Sequence, residues 1–587
     1  VSNWIIYNKK ADFKSISQRH NISELAAKLI RNKDITDDKD IDMYINGNMH
    51  SLHNPYLLKD IEKGAAAIID SIKKSEPIRI IGDYDVDGVC STFILYKVLT
   101  SVSDGISYDI PDRITDGYGL NVRLIDKAYN EGVRTIITCD NGIAAAEQIA
   151  HARSLGMKVV VTDHHEVPSN EDGMDILPNA NAVIDIKRSD DNYPYKEICG
   201  AVVAYKFSQV LLDMLGINKE FVDSLMNEYL LPFISIATVC DVMELKNENR
   251  VILKNGLKAI PNTSNEGLKA LLNVNALNGE ITPYHIGFIL GPCINASGRL
   301  NSAMDALELF LSDGEKALEI ASSLHATNEK RKSMTSTACN EAIMVIEENN
   351  YADNDVIVIK INCHESLAGI VAGKIKEKYN KPCIVFTNAD GFLKGSARSI
   401  EAYDMYENLS KFKDLMIAFG GHKMAAGLSI YEKDLSVLRD GLNNASTLTD
   451  KDFEKKVYID VAFPLSMVDE DTVDAVNLLE PFGNGNAKPL FATKSIHLIS
   501  VKPMGKTGRA VKIQALDDEY KKVRSLVYFG DVNAFATYLD KKHGLGTYMQ
   551  LECEKVSNDI TLDICYQPDI NEFRGRREVQ TVIKEYR

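Results

Sequence analysis

From Pro77 to about Leu245, short unbroken apolar runs alternate with longer stretches of helical spacing. PIRIIG, VRTIITC and MKVVVT have the length and β-branched content of buried strands, whereas STFILYKVL, AAAEQIAHARSLG and AVVAYKFSQVLLDML repeat their apolar residues at helical intervals. Strand and helix in alternation predict a parallel sheet covered on both faces, an α/β architecture. Residues from about 246 to 310 have a mainly helical pattern. Glu315 to Asn350 holds neither Gly nor Pro and predicts one long polar helix, a rigid connector. A second α/β unit runs from DVIVIKI to about Leu442. Beyond the polar joint NASTLTDKD, six short apolar runs follow: KVYIDVAF, SIHLISV, RAVKIQAL, KVRSLVYFG, TYMQLECEKV and DITLDICY. Their spacing predicts a small β-barrel, with an OB-fold as the expected version. The chain thus divides into a helical lead-in (1–50), an α/β unit with a helical extension (51–310), a connecting helix (311–350), a second α/β unit (351–447) and a barrel (448–587).

The length of 587 residues requires several cores, since one core rarely grows beyond ~250–300 residues. A net charge of −16 argues against bulk attraction to nucleic acid. It leaves room for a local basic groove, because exposed charges are screened beyond ~8 Å at physiological salt. No apolar run reaches the ~18 residues that would span a bilayer, and no signal-peptide pattern opens the chain, so no membrane partner is expected. The ten cysteines stand singly, without a CxxC pair. Reduced thiols in the cytoplasm fit that spacing better than a disulfide framework or a thiolate zinc site.

The ends of the predicted strands carry the chemistry. IRIIGDYDVDG places Asp83, Asp85 and Asp87 before a helix, TIITCDNG ends on Asp140, and VVVTDHH ends on Asp163, His164 and His165. A fourth segment, SIATVCDVMEL, offers Asp241. Each motif alone is commonplace in turns and caps. In an open α/β sheet, however, residues beyond the carboxyl ends of the strands share one crevice. Two carboxylates ~4 Å apart repel by ~4 kcal/mol at an effective dielectric of ~20, and no Lys or Arg lies inside these motifs to offset them. Carboxylates with imidazole suit Mn²⁺ or Mg²⁺, and the acids outnumber what one octahedral ion accepts. Two ions ~3.5–4 Å apart are a recurrent solution for phosphoester hydrolysis.

DYDVDG, CDNG, DHH and ATVCDVMEL, in that order, resemble the successive motifs of the DHH phosphoesterase superfamily. GPCINASGRL (291–300), GSARS (395–399), GGHKMAAG (420–427) and LEPFGNGNAKPLF (479–491) extend the resemblance to its single-stranded-DNA-specific exonucleases. The resemblance implies metal ligation by Asp85, Asp87, Asp140, His164 and Asp241, with two Mn²⁺ or Mg²⁺ ions as cofactors. It implies catalytic roles for His165, facing the scissile phosphate, and for Asp83, a ligand or its immediate neighbour. Asp163 is expected to orient the loop by hydrogen bonds. Arg113, Arg299, Ser396 and Arg398 would hold the 5′-terminal phosphate, and Gly420, Gly421 and His422 would line the substrate cleft.

The implied reaction is 5′-to-3′ hydrolysis of single-stranded DNA to mononucleotides, in repair and recombination. A monomer is expected, with a single-stranded-DNA-binding protein and a helicase as partners. Tyr118 either stacks on a base or packs. Phe573, Arg574, Arg576 and Arg577 form either part of a nucleic-acid groove or a solvated edge. Departures from the family pattern are Cys293 in place of an arginine, HESLAGIVAG without its usual opening, and Asp185 where Asn-Pro is common. The alternatives are a DHH phosphodiesterase for short oligonucleotides or cyclic dinucleotides, and a catalytically silent DHH scaffold.

Overall fold

Five parallel strands form the first sheet, in the order Ile106–Asp109, Ile78–Ile81, Thr135–Cys139, Lys158–Asp163 and Ala182–Asp185. The computed structural model describes the chain except residues 1, 113–115, 118, 301, 506–508, 518–521, 554–559 and 574. Arg113, Tyr118 and Arg574 therefore lie outside the described residues, as do the side chains of Phe573 and Arg576. The period of two along each strand divides the sheet's side chains between two cores. Ile78, Ile80, Ile137, Val160 and Ile184 join the helices Val86–Thr100 and Gly200–Met214 on one face. Ile81, Ile136, Val159, Val161 and Val183 pack on the other with Leu124 and Ile149. Burial on both faces explains why the inner strands are mainly apolar, and the one arginine within them, Arg79, is paired with Asp109 and Glu131. The outer strands ISYD and AVID are four residues each and end on acids, so their pattern did not announce them.

The chain leaves Ile78–Ile81 for one neighbour and returns to pair on its other side. That reversal opens a crevice above the carboxyl ends of Ile78–Ile81 and Thr135–Cys139. The predicted connector is a helix, Gly314–Glu348. It leads to a mixed five-stranded sheet in which Ile357–Lys360 and Cys383–Ala389 are parallel. Phe392–Arg398, Ala425–Ile430 and Met416–His422 continue it antiparallel.

The C-terminal strands close a barrel, because Phe491–Met504 pairs with both Ala510–Asp517 and Thr561–Phe573. One expectation fails here: TYMQLECEKV begins as a helix, Thr547–Glu552, and not as a strand. Its Leu551 fills the barrel core, and that tertiary contact outweighs the strand preference of Thr547 and Tyr548. The first 50 residues carry the predicted helical pattern, in Phe13–His20, Glu24–Asn32 and Asp38–Asn46. Their apolar faces, including Leu29, Ile30 and Ile41, join the barrel core, and the strand Asn3–Ile6 pairs in parallel with Lys456–Ile459.

Candidate metal centre and substrate-facing surface

The loop after Ile78–Ile81 turns sharply into the helix Val86–Thr100. Asp85 is the N-cap, accepting hydrogen bonds from the N–H groups of Asp87 (2.9 Å) and Gly88 (3.1 Å). Gly88 is required because a Cβ there would lie 2.4 Å from the Asp83 carbonyl oxygen. Asp87 accepts from the N–H groups of Gly200 (2.6 Å) and Ala201 (2.8 Å), the first residues of the helix Gly200–Met214. That positive helix end holds the carboxylate in place. Asp140 follows the strand Thr135–Cys139 with φ of 60°. Asp241 caps the helix Leu231–Cys240.

These separate segments meet. His164 Nε2 lies 3.0 Å from Asp140 Oδ1, 3.5 Å from Asp87 Oδ2 and 3.7 Å from Asp241 Oδ2. Three overlapping groups have ligand atoms all within 4.8 Å of one another: Asp83, Asp85 and Asp140; Asp87, His164 and Asp241; Asp140, His164 and His165. Asp140 and His164 belong to two groups each, an arrangement suited to two neighbouring ions.

The electrostatics show what this cluster lacks. Burial foremost, then Asp85, pushes the Asp83 carboxyl up to about 8. Burial and Asp87 push Asp241 up to about 8 as well. Asp140 is driven well above the carboxylate range by burial and by Asp87, Asp85 and Asp241. Both oxygens of Asp83 and Oδ2 of Asp241 are buried without a hydrogen bond of ordinary geometry. The N–H groups of Tyr84 and Gly119 only partly oppose the rise at Asp83. The His164 imidazole is shared by Asp87, Asp140 and Asp241, but burial foremost lowers its pKa, and His165 only partly offsets the charge at Asp83 and Asp241. Orphaned buried oxygens, crowded carboxylates and imidazole nitrogen fit hard divalent cations.

Asp163 faces another way. Its Oδ2 accepts from Ile143 N–H at 3.0 Å, and Oδ1 from His164 N–H at 2.8 Å and His165 Nδ1 at 2.8 Å. Burial alone would raise this carboxyl, but the His165 bond and charge hold it below the usual range. In return, burial works against a charged His165, yet Asp163 lifts it to about 9. The His165 side chain remains 43% exposed.

The residues expected to hold substrate fall in two places. Arg299 Nη1 donates to Ser366 O at 3.0 Å, bridging the two α/β units. It lines a cavity of about 120 Å³ with Cys240, Asn295 and Arg331. Ser396 and Arg398 sit on one face of the strand Phe392–Arg398. In register across the sheet, Ser396 pairs with Gly427 and Gly427 with Gly420, while Arg398 pairs with Ala425 and Ala425 with His422. A Cβ on Gly420 or Gly427 would meet nothing within 4 Å. The face is bare, so close packing is not what these two glycines serve. Gly421 differs, with φ of 150° and a Cβ position 2.4 Å from Ala425 O. Cys293 is buried against Asn275 and Asn328, whose Oδ1 also accepts from Arg331. Sequence patterns missed the Gly200 and Ala201 amides, since backbone donors carry no residue signature. They also missed how Asp185, paired in register with Asp163, is pushed to about 8 by burial and that neighbour.

Residues 77–231 match the DHH family, N-terminal domain, residues 353–446 the DHHA1 domain, and residues 459–585 the RecJ OB domain. The single-stranded-DNA-specific exonuclease RecJ of Salmonella typhimurium is 31% identical over 550 residues, 90% of either chain. The protein of the same name from Bacillus subtilis is 32% identical over 517 residues, which are 87% of this chain and 64% of that one. This chain thus spans less than two thirds of the Bacillus subtilis relative. Among solved structures, RecJ from Thermus thermophilus in complex with Mn²⁺ has a TM-score of 0.79 at 22% identity, covering 100% of this chain and 79% of that one.

Proposed function

We propose, from the premise that this chain belongs to the RecJ family of DHH phosphoesterases, that it is a metal-dependent exonuclease. It hydrolyses single-stranded DNA from the 5′ end to mononucleotides and serves repair and recombination. The observation that carries the reading is the convergence of Asp83, Asp85, Asp87, Asp140, His164 and Asp241 on one crevice. Asp85, Asp87, Asp140, His164 and Asp241 would hold two Mn²⁺ or Mg²⁺ ions, with Asp83 beside them. When bound, such ions lower the pKa of water and neutralise charge on attacking and leaving oxygens.

The chain's own groups do the rest. Asp163 fixes the His165 ring and favours its protonated form, which suits contact with a phosphodiester. Arg299, Ser396 and Arg398, with Arg113, would hold the 5′-terminal phosphate. The glycine-bared face with His422 leaves room for a backbone to lie flat. Two stacked pairs, the exposed Tyr284 with Phe288 (4.9 Å) and the exposed Tyr406 on the half-buried Phe419 (4.9 Å), offer surfaces for unpaired bases.

A monomer in the cytoplasm is part of the same reading. The cytoplasmic part is supported by ten free cysteines, six of them buried. A single-stranded-DNA-binding protein and a helicase are the partners proposed. Digestion of strands labelled at either end, with and without Mn²⁺, tests the function. The expected result is Mn²⁺-dependent loss of the 5′ label first, with His165→Ala inactive. Equal hydrolysis of blunt duplex, or cleavage confined to dinucleotides, would overturn it.

A further inference from the structure

Asp241 is the one acid of the cluster supplied by the C-terminal end of a helix, and the segment after it is in an unfavourable conformation. The helix Leu231–Cys240 closes with Val242 N–H donating to Val239 O (3.2 Å) and Met243 N–H to Thr238 O (3.1 Å). This closure places Val242 at φ of 56°, a position normally given to glycine and rare for a β-branched residue. Val242 is 64% exposed, so core packing does not hold it there.

A loop of the barrel domain does. Asn484 Nδ2 donates to Val242 O at 2.7 Å, and Leu245 N–H donates to Asn484 O at 2.8 Å. The two bonds clamp residues 242–245 from one partner. The flanking glycines let the loop approach. A Cβ on Gly483 would lie 2.5 Å from Leu245 Cδ1, and one on Gly485, at φ of 68°, would lie 2.9 Å from Glu244 Cβ. The loop is itself fixed. Gly483 and Asn486 exchange backbone bonds of 3.0 and 3.1 Å, and the Asn486 side chain donates to Leu479 O and Pro481 O. Asn486 Oδ1 accepts from Tyr44.

We propose that Gly483–Asn486 is a clasp through which the barrel domain positions Asp241, with Asn484 the positioning residue. The inference rests on the reading of Asp241 as a metal ligand. The barrel is then part of the metal centre's support and more than a tethered binding module. Loosening the clasp would weaken the ion held by Asp87, His164 and Asp241, and spare the one held by Asp85 and Asp140 with Asp83 beside them.

Mn²⁺ binding to the full chain, followed by calorimetry and electron paramagnetic resonance, tests this. Wild type should bind two ions, and Asp241→Ala should weaken one of them. Asn484→Ala should weaken the same ion by about tenfold or more, the range seen when a ligand's supporting partner is lost. Binding of a single strand in chelator should be unchanged. Adding Val242→Gly to Asn484→Ala should restore the affinity to within about threefold, because glycine adopts this conformation without strain. Wild-type affinity in Asn484→Ala would overturn the clasp. So would weakening of both ions together with no rescue by Val242→Gly, which would mark general unfolding. Failure of the wild type to bind Mn²⁺ at all would instead sink the metal reading on which the clasp rests.

Discussion

Asp163 is fully buried at the end of a strand, yet it turns away from the acids beside it and spends its oxygens on the loop that carries both histidines. Asp163→Asn should therefore keep the fold but lower metal affinity or turnover by roughly 10–100-fold. The His165 resonance of the metal-free protein should titrate well below 9 in that variant. An unchanged titration would show that Asp163 does not set the ring's charge.

The crowded acids predict a pH dependence of opposite sign to that of a salt-bridged carboxylate. Asp83 and Asp241 ionise near 8 in the folded metal-free chain and near 4 when unfolded. The unfolded state therefore releases these protons first, and stability falls as pH rises from about 4 to about 8. His165, raised to about 9, adds stability that is complete below its unfolded pKa and is lost as pH passes through 9. Melting in chelator should drop between pH 5.5 and 8, and the upward shift given by Mn²⁺ should grow over the same interval. A Mn²⁺ shift independent of pH would contradict it.

At this scale the sequence was informative wherever a side chain does the work. Asp85, Asp140 and His164 stood out because parallel strands deliver their ends to one place. The Gly200 and Ala201 amides were invisible because every residue has an N–H. Asp163 was legible as a supporting residue only beside its neighbours.

Among the elements, the strand Ala425–Ile430 offers the sharpest test. Gly427 lies between Ser396 and Gly420 in register, with open space where a Cβ would be. Gly427→Val suits strand geometry and should leave the melting temperature nearly unchanged, while roofing the bare face. We expect single-strand KM to rise by about tenfold, of the order of one lost bidentate or stacking contact. An unchanged KM would remove this face from the substrate path.

The long helix Gly314–Glu348 and the central strands were readable from periodicity and from the absence of Gly and Pro. The helix Thr547–Glu552 was not, because six residues give too short a window for its period and Leu551 is fixed by the barrel core. The outer strands of the first sheet fell below the same limit.

In the whole molecule, one buried arginine joins three distant segments. Arg250 lies 3.7 Å over the Tyr44 ring and donates to Tyr44 O (2.8 Å), Leu479 O (2.8 Å) and Leu478 O (3.2 Å). It thereby ties the first α/β unit to the N-terminal helices and to the segment leading into the clasp. Arg250→Met should strand the Tyr44 and Leu478 carbonyls, Leu479 O keeping its bond from Asn486, and cost on the order of 3 kcal/mol. Early proteolysis within residues 1–50 should accompany the loss. Nothing in the local pattern around Arg250 foretold this, since its partners are backbone atoms more than 200 residues away in sequence.

All of this turns on whether carboxylates from three separate segments and a histidine from a fourth share a pair of cations. Anomalous diffraction from crystals grown with Mn²⁺ measures that directly. Two peaks ~3.5–4 Å apart, bounded by Asp85, Asp87, Asp140, His164 and Asp241, are the result expected. A Mn²⁺-saturated crystal with no peak in that crevice, or with peaks only on surface acids, would contradict the account.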